Sequence, residues 1–202
     1  MFGGAFDPPH QAHVALAEIA IQVLELDELR IIPTGQAWHK TRTLSEPRHR
    51  LAMTRLAFDG MPKVVIDSRE LERTGPSFTI ETLRDLQTEN PDAQLYLIMG
   101  ADQFAAFGQW HEWQAIVELA IICIAARAGF DGASGSFDSY PTQKHRFLLI
   151  PMPAMNVSAT HIRQLVANES TPGSDALAAL DAMVAGSVAR YISHHRLYSV
   201  AL

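Results

Sequence analysis

Five short, mostly apolar runs, each followed by a helical or polar stretch, constrain the fold of this 202-residue chain most strongly. They are Leu29-Arg30-Ile31-Ile32-Pro33, Val64-Val65-Ile66, Leu95-Tyr96-Leu97-Ile98-Met99, residues 121–126, and Phe147-Leu148-Leu149-Ile150. A strand with one wet face alternates apolar and polar residues, whereas a strand covered on both faces reads as a continuous apolar run. Helical spacing is predicted between them: over residues 14–26, through Arg48, Leu51, Met53, Leu56 and Phe58 to a stop near Gly60, and over residues 77–88, 101–107 and 112–119. Further helices are expected near residues 158–167, 175–184 and 188–195. Strands alternating with helices give a doubly wound α/β fold, a parallel sheet with helices on both faces and its crevice at the carboxyl ends of the strands. Residues 34–44, residues 69–76 and the Gly-, Ser- and Asp-rich residues 128–144 read as loops, the last of them mobile. No repeat or interdomain linker is visible, and the length suits one packed core, so residues 1–202 read as a single domain.

The chemistry concentrates at the start, in Gly3-Gly4-Ala5-Phe6-Asp7-Pro8-Pro9-His10-Gln11-Ala12-His13. Two glycines permit a sharp turn and a close backbone approach to a ligand. Asp7, Pro8 and Pro9 read as a cap and first turn feeding the first helix, and a helix N-terminus suits an anion. His10 and His13, three apart, fall on one side of that turn. Similar ligand-bearing points recur at the other strand ends. Residues 33–40 place His39 and Lys40 in the crevice, and residues 75–82 open a helix with a proline turn and the hydroxyls of Ser77 and Thr79. Gly100-Ala101-Asp102 forms another turn, followed by Trp110 and Trp113. Trp110 offers a flat face for stacking, while Trp113 reads as a packing residue. In Val157-Ser158-Ala159-Thr160-His161-Ile162-Arg163, Ser158 caps a helix and Arg163 can clamp a phosphate. Ser45 is expected to cap the helix that follows the His39 loop.

Charge narrows the partners. With 16 basic and 22 acidic residues the formal net charge is −6, which argues against a polynucleotide partner. A small anion needs only local positive groups. Cys123, the single cysteine, sits in an apolar run and reads as a buried, inert thiol; no cysteine-based zinc site is available. There is no membrane-spanning apolar segment, so the cytoplasm is the expected location, and a homo-oligomer is left open.

The opening run resembles the G-G-x-F-D-P-x-H-x-G-H signature of nucleotidyltransferases that move an adenylyl or cytidylyl group from a nucleoside triphosphate, with Ala12 in place of a glycine. Residues 75–82 resemble the G-P-S-[YF]-T-x-D-T segment of bacterial nicotinate-nucleotide adenylyltransferases, with Glu81 replacing the aspartate. The His39-Lys40 pair, the Gly100-Ala101-Asp102 turn with Trp110, and residues 157–163 (I-S-[SA]-T-x-I-R) are similar to further elements of that family.

The resemblance implies a Rossmann-like domain that joins ATP and nicotinate mononucleotide, with Mg²⁺ accompanying the ATP. It implies nucleotide contacts from Gly3, Gly4, Phe6, His10, His13, Lys40, Ser158, Thr160 and Arg163, of which His10, His13, Lys40 and Arg163 are the catalytic set. It implies acceptor contacts from Thr79, Asp102 and Trp110. Transfer to nicotinamide mononucleotide or phosphopantetheine, and a non-catalytic nucleotide-binding regulator, stand as alternatives. A histidine-bound metal hydrolase is disfavoured, since no H-E-x-x-H accompanies the histidines. In such a fold the glycine turn follows the first, central strand. Only Met1 and Phe2 precede Gly3, so the first strand is expected to be truncated, with four to eight further residues upstream in the natural product.

Overall fold

In the computed structural model, which describes residues 1–35, 43–127, 144–168 and 179–199, the apolar runs pair into one parallel sheet. Its strands are β1 (Phe2–Gly4), β2 (Leu29–Pro33), β3 (Val64–Ile66), β4 (Leu95–Gly100), β5 (Ala120–Arg127) and β6 (Phe147–Met152). Their spatial order is β3-β2-β1-β4-β5-β6, the Rossmann order. Along β4 and β5 successive residues point to opposite faces. Leu97, Met99, Ile122 and Ile124 enter a core with the helices α4 (Thr79–Glu89), α5 (Ala101–Ala105) and α6 (Trp113–Leu119). Ile98 and Cys123 enter a second core with α1 (Gln11–Val23). Both faces of β4 and β5 are covered, which is why these two read as unbroken apolar runs, whereas the edge strands β3 and β6 leave Val65, Leu148 and Leu149 exposed. A third cluster joins α2 (Pro47–Ala57) to α7 (Ala159–Ala167) and α8 (Gly186–His194) through Met53, Ile162, Val188 and Ile192.

The order of strands decides where a ligand can sit. From β1 the chain moves to β2 and β3 on one side, then returns to lay β4, β5 and β6 on the other. β1 pairs with β2 over three residues, Phe2 to Ile31, Gly3 to Ile32 and Gly4 to Pro33, but its register with β4 is the single pair Phe2 to Ile98. Past Phe2 the two strands part, and the parting opens a crevice at their carboxyl ends.

Several local expectations change. Asp7 does not cap α1: the N-cap is His10, and Asp7 is buried beneath the turn. Neither Gly3 nor Gly4 has left-handed backbone; Phe6 does, with φ 46°. Gly4 suits the turn for another reason, because a Cβ there would lie 3.0 Å from the Phe6 ring, a tight contact that the ring would have to yield to. Ser45 does not cap α2; Glu46 holds that position with Pro47 in the first turn, and the Ser45 N–H is given to Asp7 instead. The expected loop at 69–76 contains one helical turn, α3 (Arg69–Glu72), too short for a hydrophobic period to betray it. Residues 101–107 divide into α5 and a 3₁₀ turn, Phe107–Gln109. His39, Lys40, most of the 128–144 loop and the start of the expected 175–184 helix lie outside the described residues.

Candidate active site

The β1–α1 turn is held by long-range bonds rather than by its own sequence. The Phe6 ring meets Phe2, Phe58 and His13 edge-on, with centroids 5.6, 6.1 and 5.1 Å away. Asp7 accepts the Ser45 N–H at 3.1 Å and the Tyr198 hydroxyl at 2.6 Å, and its backbone carbonyl accepts Arg163 Nη1 at 2.7 Å. Arg50, on the buried face of α2, donates to the carbonyls of Ala5 (3.1 Å), Thr34 (2.7 Å) and Ser45 (3.1 Å). One guanidinium thereby fixes the segments that leave β1 and β2 and the approach to α2. Arginine's planar fork suits such carbonyl gathering.

His10 and His13 stack face to face at the start of α1 with ring centroids 3.7 Å apart. The His10 N–H donates to His13 Nδ1 at 3.1 Å, which leaves the proton of a neutral His13 on Nε2. The Gln11 N–H donates to Met183 O at 2.9 Å. Two donors at this helix start are thus consumed within the protein, so an anion here meets imidazoles more than a bare helix end. Burial lowers the His10 pKa from 6.5 to about 4, so the ring is neutral near pH 7. His10 Nδ1 is buried and has no hydrogen-bond partner among the described residues.

The crevice is a cleft of about 950 Å³, at the upper end of the ~300–1,000 Å³ typical of ligand pockets and roomy enough for two nucleotides. Its β1–α1 end is walled by Gly3, Gly4, Phe6, His10 and His13, and by Ser158, Thr160 and Arg163 from α7. Ser158 caps α7, accepting the His161 N–H at 3.2 Å, and Arg163 Nη2 donates to Thr160 Oγ1 at 3.0 Å. Arg163 is the one lysine or arginine in this wall among the described residues.

The far end is walled by Thr79, Asp102 and Trp110. Thr79 is the first residue of α4, and Phe78 before it lies against the His111 ring at 4.4 Å. Trp110 meets Phe107 edge-on at 5.6 Å and keeps one side toward the cleft. Trp113 packs on Phe107 at 6.2 Å, as expected of a core residue. The Asp102 carboxylate folds back over Gly100, where a Cβ would lie 2.6 Å from Oδ1. Every expected site residue within the described part therefore lines one cleft, and Lys40 is not among the described residues.

Residues not singled out from sequence complete the frame. Glu70 is buried in the cleft wall and accepts the Thr82 hydroxyl at 2.9 Å. Burial raises its pKa, opposed by the Thr82 hydrogen bond, the Arg73 charge and the Gly35 N–H. Gly35 itself has no room for a side chain, since a Cβ would lie 2.1 Å from Glu70 O. Arg50 could have been noticed, because it shares a helical stripe with the buried Met53 and Thr54. Glu70 and Tyr198 carry no comparable signal. Cys123 is buried, and burial pushes its thiol up to about 12, as expected for an inert thiol.

A sequence profile of the cytidylyltransferase-like family matches residues 1–165. A protein named probable nicotinate-nucleotide adenylyltransferase from Albidiferax ferrireducens is 55% identical over 201 residues, spanning 100% of this chain and 98% of that protein. One of the same name from Methylibium petroleiphilum is 43% identical, spanning 98% of this chain and 91% of that protein. Among solved structures, Plasmodium falciparum nicotinic acid mononucleotide adenylyltransferase complexed with NaAD superposes with a TM-score of 0.77 at 20% identity, over 98% of this chain and 95% of that one. At that identity the likeness speaks to the fold.

Proposed function

The chain belongs to the cytidylyltransferase-like family and, within it, to the nicotinate-nucleotide adenylyltransferases, and from this premise we propose how its cleft works. The reaction is adenylyl transfer from ATP to nicotinate mononucleotide, giving nicotinate adenine dinucleotide and pyrophosphate, a step of NAD synthesis. One observation carries the reading: the two segments most particular to the family, 3–13 and 157–163, are distant in sequence yet wall the same end of one cleft.

A phosphate oxygen of nicotinate mononucleotide attacks the α-phosphorus of ATP in line. The new P–O bond forms as the bond to the β-phosphate oxygen breaks, and pyrophosphate leaves with that electron pair. No protein nucleophile is needed, so catalysis consists of positioning and charge stabilisation. We assign the triphosphate to the end walled by Gly3, Gly4, Phe6, His10, His13, Ser158, Thr160 and Arg163, with Lys40 completing it. His13 donates from Nε2 to the α-phosphate as negative charge gathers there. Arg163, already aligned by Asp7 O and Thr160, adds a fixed positive charge. The nicotinate ring is assigned to Trp110, and its carboxylate to the start of α4 at Thr79, with Asp102 beside it.

Magnesium comes with the triphosphate as part of the substrate and neutralises phosphate charge; among the described residues no three His, Cys, Asp or Glu side chains converge to hold a cation. Among the described residues no helix is long and apolar enough to cross a membrane. We place the enzyme in the cytoplasm as a single domain acting on small molecules, with no nucleic-acid partner. Pyrophosphate release from ATP, measured with nicotinate mononucleotide, nicotinamide mononucleotide and phosphopantetheine in turn, tests the assignment. Release with the first acceptor and little with the others is expected; release with none of them would remove the catalytic reading.

A further inference from the structure

The tail beyond α8 reaches the opening turn of the cleft, and the reaction described above makes no use of it. After α8 the Leu197 N–H returns to Ile192 O at 3.0 Å, and Arg196 and Tyr198 take left-handed backbone, with φ 50° and 66°. Such conformations are unfavourable for residues other than glycine and persist where surrounding contacts impose them. Here they turn Tyr198 inward against the cluster of Met53 and Ile162. Its hydroxyl donates to Asp7 Oδ1 at 2.6 Å, across 191 positions of sequence. Burial and the Asp7 charge push the phenol pKa above its ordinary value, so the hydroxyl stays a donor at neutral pH.

Asp7 is 1% exposed, and a carboxylate so buried requires donors on both oxygens. Ser45 and Tyr198 supply one each, while the backbone carbonyl of the same residue aligns Arg163. Directly before Asp7 stands the left-handed Phe6, and three residues after it comes His10. Any shift of Asp7 is passed to both.

We propose that Tyr198 is a positioning residue for adenylyl transfer: its hydroxyl anchors Asp7, and through Asp7 it holds the turn that presents His10 and the carbonyl that aligns Arg163. The kinetic part of this proposal rests on the assignment of ATP to that end of the cleft. The anchoring itself does not.

Tyr198→Phe tests it, since the ring and its packing stay and only the donor goes. Amide hydrogen exchange and the thermal shift produced by MgATP are measured on the full chain. Exchange over residues 6–13 is expected to rise about tenfold, while β4 and β5 keep their protection. The MgATP shift should shrink, and the KM for ATP should rise about three- to tenfold, more than the KM for the acceptor. Faster exchange confined to residues 195–199 overturns the proposal. So does faster exchange at 6–13 with an unchanged MgATP shift, which reduces the tyrosine to a structural role. A wild-type chain with no MgATP shift removes the nucleotide assignment, while exchange still decides the anchoring. Should Tyr198→Phe fail to fold, Asp7→Asn, which weakens the same bond from the acceptor side, gives the same readouts.

Discussion

His10 and His13 lie ring on ring, 3.7 Å apart with planes inclined by 23°, and the backbone N–H of the first is bound by the second at 3.1 Å. The pair is a single unit in which one backbone fixes the other's tautomer. His13 is thereby oriented before substrate arrives. His13→Ala should fold normally and lose about 10²–10⁴ in turnover, the typical contribution of one donor acting in the transition state. Steady-state kinetics beside a melting curve decide the matter; near wild-type turnover in a folded variant would remove His13 from the mechanism.

His10 should make the fold sensitive to acid. Its pKa is depressed by burial to about 4 when folded, against 6.5 in a free chain. The unfolded state therefore binds the proton first as pH drops. Stability from this group is complete above pH 6.5 and is lost as pH falls through 4, by on the order of 3 kcal/mol in all. Melting temperatures between pH 7 and pH 4 should fall more steeply for the wild type than for His10→Gln. Parallel slopes would mean that the ring is not held neutral.

Gly3 in the cleft wall and Gly35 packed behind it on Glu70 should answer differently to the same substitution. Gly35→Ala drives a Cβ into Glu70 O at 2.1 Å, which backbone must move to relieve, and should cost about 1–3 kcal/mol of stability. At Gly3 the nearest protein atom to such a Cβ is Met1 Cε at 3.7 Å, an ordinary contact. Gly3→Ala should therefore melt within about 0.5 kcal/mol of wild type. If phosphates approach this backbone closely, it should still weaken MgATP binding, by about tenfold. Calorimetry on the two variants separates the effects, and unaltered ATP affinity in Gly3→Ala would move the phosphates elsewhere.

The acceptor end should prefer the acid to the amide. A carboxylate presented to the start of α4 only accepts hydrogen bonds, whereas a carboxamide also turns an NH₂ toward donors. Each mispaired buried donor costs about 1–3 kcal/mol, so nicotinate mononucleotide should exceed nicotinamide mononucleotide by about 10–10² in kcat/KM. Equal efficiency on the two would displace the carboxylate from Thr79.

What the sequence made legible was the part governed by local pattern. Burial on both faces writes itself into runs such as Leu95–Gly100, and caps such as Ser158 write themselves into single residues. The opening turn was visible as chemistry but misjudged as conformation. Asp7 was expected to serve the helix beside it, whereas its partners come from α7, from the tail and from the segment before α2. Glu70 and Tyr198 stayed hidden for the same reason: their roles depend on partners far along the chain, and no spacing rule reports those.

The bonds that close the turn at Asp7 span 38, 156 and 191 positions. Contacts of such separation are reached late in folding, because loop-closure entropy must be met before they contribute. The sheet and its helices can assemble while this corner is still loose. The chain should therefore pass through a collapsed intermediate with most of its secondary structure and little affinity for nucleotide, and catalytic competence should lag behind compaction in a refolding experiment. Synthesis from the N-terminus gives the same order: the glycine-histidine turn emerges before its partners Ser45, Arg163 and Tyr198, and is the last to be set.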